Sequence, residues 1–182
     1  MYYVPYVHPY YHHHHQPYYH HHHHHPYYMN VPMHQWNHWG YDQREKHSLR
    51  DHGKKPYVVN INEATKQNNT YRTAIWTGDH LQVTLMSLHV GEDIGLEMHP
   101  HVDQFLRIEQ GHGIVQMGNS KNHLDFVREV NEDSAIFVPA GTWHNLTNTG
   151  HIPLKLYTIY GPPNHPFGTV QKTKKEAKHE HH

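Results

Sequence analysis

The chain contains no cysteine, so disulfides, thiolate metal sites and cysteine nucleophiles are excluded together. Charge of either sign is also scarce. With 15 basic and 16 acidic residues the formal net charge is −1, which leaves no whole-chain field to hold nucleic acid or an anionic membrane, and neither partner is expected. No apolar run approaches the ~18 residues a membrane span needs. The first residues have neither a basic segment nor a continuous apolar one, so no signal peptide is expected and a cytoplasmic location follows. Apolar residues are few as well, 35% of 182 against about 45–50% in a typical globular chain.

That shortage is local. Residues 1–40 hold thirteen of the 27 histidines, nine tyrosines and five prolines, but no Lys, Arg, Asp or Glu. Pro9-Tyr10-Tyr11, Pro17-Tyr18-Tyr19 and Pro26-Tyr27-Tyr28 form an imperfect repeat with histidine runs 12–15 and 20–25 between them. Proline at that spacing breaks helices and consecutive histidines offer no apolar face, so a disordered extension and linker is expected over 1–52. Its composition is similar to the His- and Tyr-rich proteins of bacterial spore coats. Residues 171–182 are Lys, Glu and His without periodicity and are expected to form a disordered charged tail.

Between them, over 53–170, short β-like runs alternate with turn residues. Strands are expected at 57–61, 72–76, 80–90, 104–109, 113–117, 124–130, 135–138, 143–147 and 154–160, with a turn or two of helix at 62–67. Leu81, Val83 and Leu85 share one face, as do Leu154, Leu156 and Thr158. So many short strands indicate an all-β sandwich or barrel of about 115 residues.

One stretch carries chemistry. It reads Gly91, five residues, Glu97, one residue, His99, four residues, Gln104, six residues, Gly111; later come Pro139, Gly141, His144 and Asn148. The pattern resembles the two motifs of the cupin superfamily, in which a glycine precedes two histidines one residue apart, a glutamate and a glycine, and a second motif holds a proline, a glycine, a histidine and an asparagine. The resemblance implies a cupin (RmlC-like, double-stranded β-helix, jelly-roll) barrel that dimerises with itself. It aligns Glu97, His99, Gln104 and His144 with the family's ligands to a divalent transition metal: Fe, Mn, Zn, Ni or Co. Glu97 stands where the family has its first histidine and Gln104 where it has its glutamate, so carboxylate and neutral ligand have exchanged places and the ligand charge stays at −1.

On an extended strand, residues two apart point the same way, which aims Glu97 and His99 at one interior. Nitrogen and oxygen donors of this kind suit a divalent ion, and a two-histidine, one-carboxylate set suits Fe(II). A second register uses His99, His101 and Glu109. Trp76, Trp143, Tyr157 and Tyr160 are candidate pocket residues able to stack on a ligand. Arg107 and Lys155 alternate with inward apolar positions and are expected on the outer face, in solvent.

Two functions follow as expectations. One is a metal-dependent cupin acting on a small-molecule substrate, such as a sugar or sugar-phosphate isomerase or a dioxygenase. The other is a non-catalytic structural or metal-storing protein of a spore coat or surface, working through its His/Tyr-rich tail.

Overall fold

The structure is a computed structural model and describes residues 49–179. The His/Tyr-rich extension and the spore-coat reading built on it fall outside the described residues.

Two antiparallel sheets form the barrel. The larger has the order β6-β3-β8-β2-β1-β9 and the smaller β5-β4-β7. In chain order these are β1 (Arg72–Thr77), β2 (Gln82–Leu88), β3 (Asp103–Gln110), β4 (Gly113–Gly118), β5 (Phe126–Val130), β6 (Ala135–Val138), β7 (Trp143–Asn148), β8 (Leu154–Gly161) and β9 (Val170–Gln171). Met86, Leu88, Leu106, Ile108 and Leu156 of the larger sheet meet Val115, Met117, Val130 and Leu146 of the smaller in one buried core. This is the all-β jelly roll expected from the strand pattern. Turn chemistry supports it at Gly111, between β3 and β4: its φ is +93°, and a Cβ there would press on the Leu154 backbone at 3.1 Å.

The outer face of the larger sheet is covered too. Helix α1 (Ile61–Gln67) starts at Asn60, whose side chain accepts from the Glu63 amide, and lays Ala64 against Ile75 and Leu85. Leu85 and Val83 therefore pack under this helix and not in the barrel interior. Residues 57–61, expected as a strand, instead lead into α1. The run is apolar because Val59 and Ile61, the latter the first residue of α1, pack against the cluster of Ala64, Ile75 and Leu85. Lys155 is corrected as well: its stem is on the outer face, as alternation requires, yet it is only 6% exposed. Its ammonium donates to Lys66 O, Asn68 O and Asn69 Oδ1 at 2.9, 2.6 and 2.7 Å, satisfying carbonyls at the end of α1.

Packed residues extend past both expected limits of the barrel domain. Before residue 53, the His52 amide donates to Ile75 O at 2.9 Å and Asp51 accepts from Gly53, Thr77 and Gly168. After residue 170, Gln171 pairs with Arg72 in β9, and α2 (Lys174–His179) inserts Ala177 into the main core. The segment expected to be a charged tail is thus partly structural: Ala177 is buried, Lys174 pairs with Asp93, and Glu176 accepts from the Lys172 amide. Among the described residues, no helix is long and apolar enough to cross a membrane.

Candidate metal centre

Glu97 does not lie on a regular strand. The segment before β3 runs beside β7 through isolated bridges, Asp93 to Thr147 and Glu97 to His144. In the second bridge Glu97 N donates to His144 O at 3.1 Å and His144 N donates to Glu97 O at 2.9 Å, so the two side chains are fixed on neighbouring backbones. His99 is held from the other motif. Gly141, at φ +77°, turns its amide to donate to His99 O at 2.8 Å, a conformation an L side chain rarely adopts. The proline–glycine turn before His144 is therefore a clamp on the first motif.

The ligand atoms of Glu97, His99 and His144 lie within 4.8 Å of one another. Glu97 Oε1 is 3.5 Å from His99 Nε2 and 3.4 Å from His144 Nε2. His144 is 1% exposed, and its Nδ1 lies 2.9 Å from Thr142 O, which turns Nε2 toward Glu97. Burial pushes the Glu97 carboxyl up, but the imidazoles of His144 and His99 and the charge of Arg72 outweigh it. The group is held well below the usual carboxylate range. Gln104 is 3% exposed on β3, opposite Tyr160 of β8, and donates from Nε2 to Thr158 Oγ1 at 3.3 Å. Glu97 Oε1, His99 Nε2, His144 Nε2 and Gln104 Oε1 are all buried without a hydrogen-bond partner.

Beside this cluster opens a cavity of about 920 Å³ whose walls include Tyr71, Arg72, Ile94, Leu96, Met98 and Trp143. Residues 84–160 match the cupin domain family. Uncharacterized protein YrkC of Bacillus subtilis (strain 168) is 62% identical over 170 residues, 83% of this chain and 91% of that protein. The crystal structure of BH2720 from Bacillus halodurans superposes with a TM-score of 0.72 and 62% identity, over 72% of this chain and 99% of that one. This chain belongs to the cupin superfamily. A double-stranded β-helix domain protein from Klebsiella pneumoniae subsp. pneumoniae MGH 78578 shares the fold alone, with a TM-score of 0.50 and 18% identity, over 65% of this chain and 100% of that one.

The cupin sorts the four candidate pocket aromatics into two pairs. Trp143 lines the cavity, and Tyr160 is fully buried with its ring 6.0 Å from that of His99. Trp76 and Tyr157 are on the outer face. For Tyr157 the cause is simple alternation on β8, which places it against Phe105 at 6.1 Å. For Trp76 it is a β-bulge at Ile75: Ala74 pairs with Thr84, but Trp76 already pairs with Val83, so parity flips and Trp76 turns outward to donate to Lys55 O. The register through His101 and Glu109 is not assembled. His101 is exposed, and Glu109 faces outward to bond Arg107 Nε at 3.0 Å and Asn62.

Sequence reasoning missed Arg72, read only as the first residue of a strand. It is 2% exposed and lines the cavity. A signal existed, because Arg72 has the same parity as Ala74, an inward position. It missed Lys174 as well, which pairs with Asp93 at 2.6 Å at the cavity wall, and there the tail composition held no cue.

Proposed function

We propose that this cupin binds a divalent transition metal through Glu97, His99 and His144, with Gln104 as a fourth, oxygen donor, and acts on a small molecule held in the adjoining cavity. The observation that carries the reading is the set of four buried ligand atoms that make no hydrogen bond of good geometry, with the Glu97 oxygen and the two imidazole nitrogens facing one another at 3.4 and 3.5 Å. Such atoms are costly in an apolar interior unless an ion or ligand completes them. The spacing agrees: bonds of about 2.1 Å to one ion separate neighbouring ligand atoms by roughly 3–3.5 Å, and 3.4 and 3.5 Å are found. Two imidazoles, a carboxylate and an amide oxygen suit Fe, Mn, Co, Ni or Zn.

When bound, such an ion supplies Lewis-acid polarisation of a substrate oxygen, as an isomerase needs, or in the case of iron a centre for dioxygen chemistry. The chain's own residues do the rest. Thr142 O accepts from His144 Nδ1 and so turns Nε2 toward the cluster, the ionised Glu97 keeps the site anionic, and Ile94, Leu96, Met98 and Trp143 give the cavity an apolar wall. Burial pushes the phenols of Tyr71 and Tyr160 up, so both keep their protons.

The test is elemental analysis of the full chain beside the His99→Ala/His144→Ala variant. Histidines of the N-terminal tract contribute equally to both, so the difference reads the barrel alone. About one extra equivalent of a single metal in the wild type is expected, and equal metal in the two proteins would refute the reading.

The expected homodimer is proposed to form at the β6 edge of the larger sheet. Phe137 there is 69% exposed, its ring 5.2 Å from that of Phe105, and the strand has one unpaired edge. Phe137→Asp should convert dimer to monomer in sedimentation velocity. A dimer indifferent to that change would place the interface elsewhere.

A further inference from the structure

We infer that Arg72 is an anion subsite that takes a carboxylate group of the molecule handled at the metal centre. The inference rests on the function proposed above and names its substrate class.

A guanidinium carries five N–H donors. In Arg72, Nη1 donates to Gln171 Oε1 at 2.9 Å, while the nearest acceptor to Nη2 is the weak Met86 Sδ at 3.9 Å. Nε is buried with no partner. What is spoken for is one end of the group, and what remains is the Nε–Nη2 edge, two parallel donors that match the two oxygens of a planar carboxylate. The charge itself is also unmatched. Glu97 acts on Arg72 only through its longer-range field, and no ion pair to Arg72 is formed among the described residues. Of the lysines lining the cavity, Lys174 is paired with Asp93, while Lys121, over the Trp143 ring at 5.6 Å, and Lys178 are exposed to solvent.

A buried cation without a counterion is costly, and here it borders a cavity and not the packed core. A divalent ion on Glu97 would add to the excess: −1 from Glu97, +1 from Arg72 and +2 from the ion sum to +2, which an anionic ligand relieves. The fully buried Tyr160 hydroxyl stands beside Arg72, Thr84 and Thr158 as a weak hydrogen-bond partner of each, and can turn its donor to the same group. Gln171 acts as a positioning residue, since it holds Nη1 and leaves the other edge free. The planar fork fits a carboxylate edge to edge; Lys121 and Lys178, which also line the cavity, are cations a phosphate would use as well, so phosphate is the competing anion of the test.

The experiment uses the full chain at about pH 8, where histidines are neutral, stripped with chelator and then reloaded with Mn or Zn. Acetate, lactate and malonate are titrated by calorimetry, with lactamide as the uncharged match to lactate and inorganic phosphate as the competing anion. The wild type is expected to bind at least one acid, and lactate at least about tenfold more tightly than lactamide. Arg72→Met is expected to lower acid affinity about tenfold or more, and Arg72→Lys, which keeps the charge but not the fork, to fall between, with the barrel's metal equivalent retained in both. The lactate–lactamide comparison needs no variant and stands if Arg72→Met does not fold. Failure of every acid to bind at tens of millimolar, equal binding by wild type and Arg72→Lys, or preference for phosphate would overturn the inference. Arg72-dependent acid binding in a protein without the extra metal equivalent would support it and refute the metal reading alone.

Discussion

Saturation with a divalent metal is expected to raise the melting temperature of the full chain by on the order of 10 °C, and Glu97→Gln to remove most of that rise. A ligand that binds only the folded state adds RT ln(1 + [L]/Kd), about 4 kcal/mol at a thousandfold excess over Kd. Ions that the histidine tract binds equally in folded and unfolded chains cancel, so melting isolates the barrel where bulk metal content does not. Glu97 is the one anionic member of the cluster, its carboxylate 3.4 and 3.5 Å from two imidazole nitrogens. An amide keeps the shape and loses the charge, leaving a weaker donor toward a divalent ion. The metal-free variant should itself melt lower than metal-free wild type, because the field of Glu97 also supports buried Arg72. A metal-induced rise in Glu97→Gln equal to that of wild type would remove Glu97 from the ligand set.

Lys155→Met is expected to cost about 3 kcal/mol of stability, read as a lower urea midpoint with unchanged slope. Methionine preserves most of the stem's packing but none of its donors, so Lys66 O, Asn68 O and Asn69 Oδ1 lose the group that satisfies them. Each buried acceptor left alone costs about 1–3 kcal/mol, and rehydration recovers part. Burial pushes the Lys155 ammonium down, so removing it also relieves a desolvation cost, which keeps the loss below the sum of three bonds. Metal content should not change, since the ammonium is on the face opposite the cavity. An unchanged midpoint would mean that α1 is held by Ala64 and its apolar neighbours alone.

Most strands of the barrel were legible because their alternation is a local property. Leu154, Leu156 and Thr158 share a buried face as period two requires, and Leu106 and Ile108 do the same on β3. The ligand cluster was legible by another route: two motifs, one ending at Gly111 and the other starting at Pro139, resemble those of one family, and Glu97, His99 and His144 converge. Local spacing alone would have placed Glu97 on a strand, where the structure has a single bridge to His144.

The places where sequence reasoning failed share a cause. A one-residue bulge at Ile75 reversed Trp76, and period-two reasoning has no means of detecting an inserted residue. Lys155 is on the outer face as expected, but whether that face meets water depends on α1, which comes from a different stretch of chain. The same holds for Ala177: a protein cut at residue 170 would lose Gln171 and with it the bond that orients Arg72. Composition and periodicity set the fold class and the kind of chemistry, because side-chain type and parity are written residue by residue. Which charges are buried, which faces are covered and which donors are left open toward the cavity were decided only when distant segments packed together, since burial belongs to the neighbours a residue acquires and not to the residue itself.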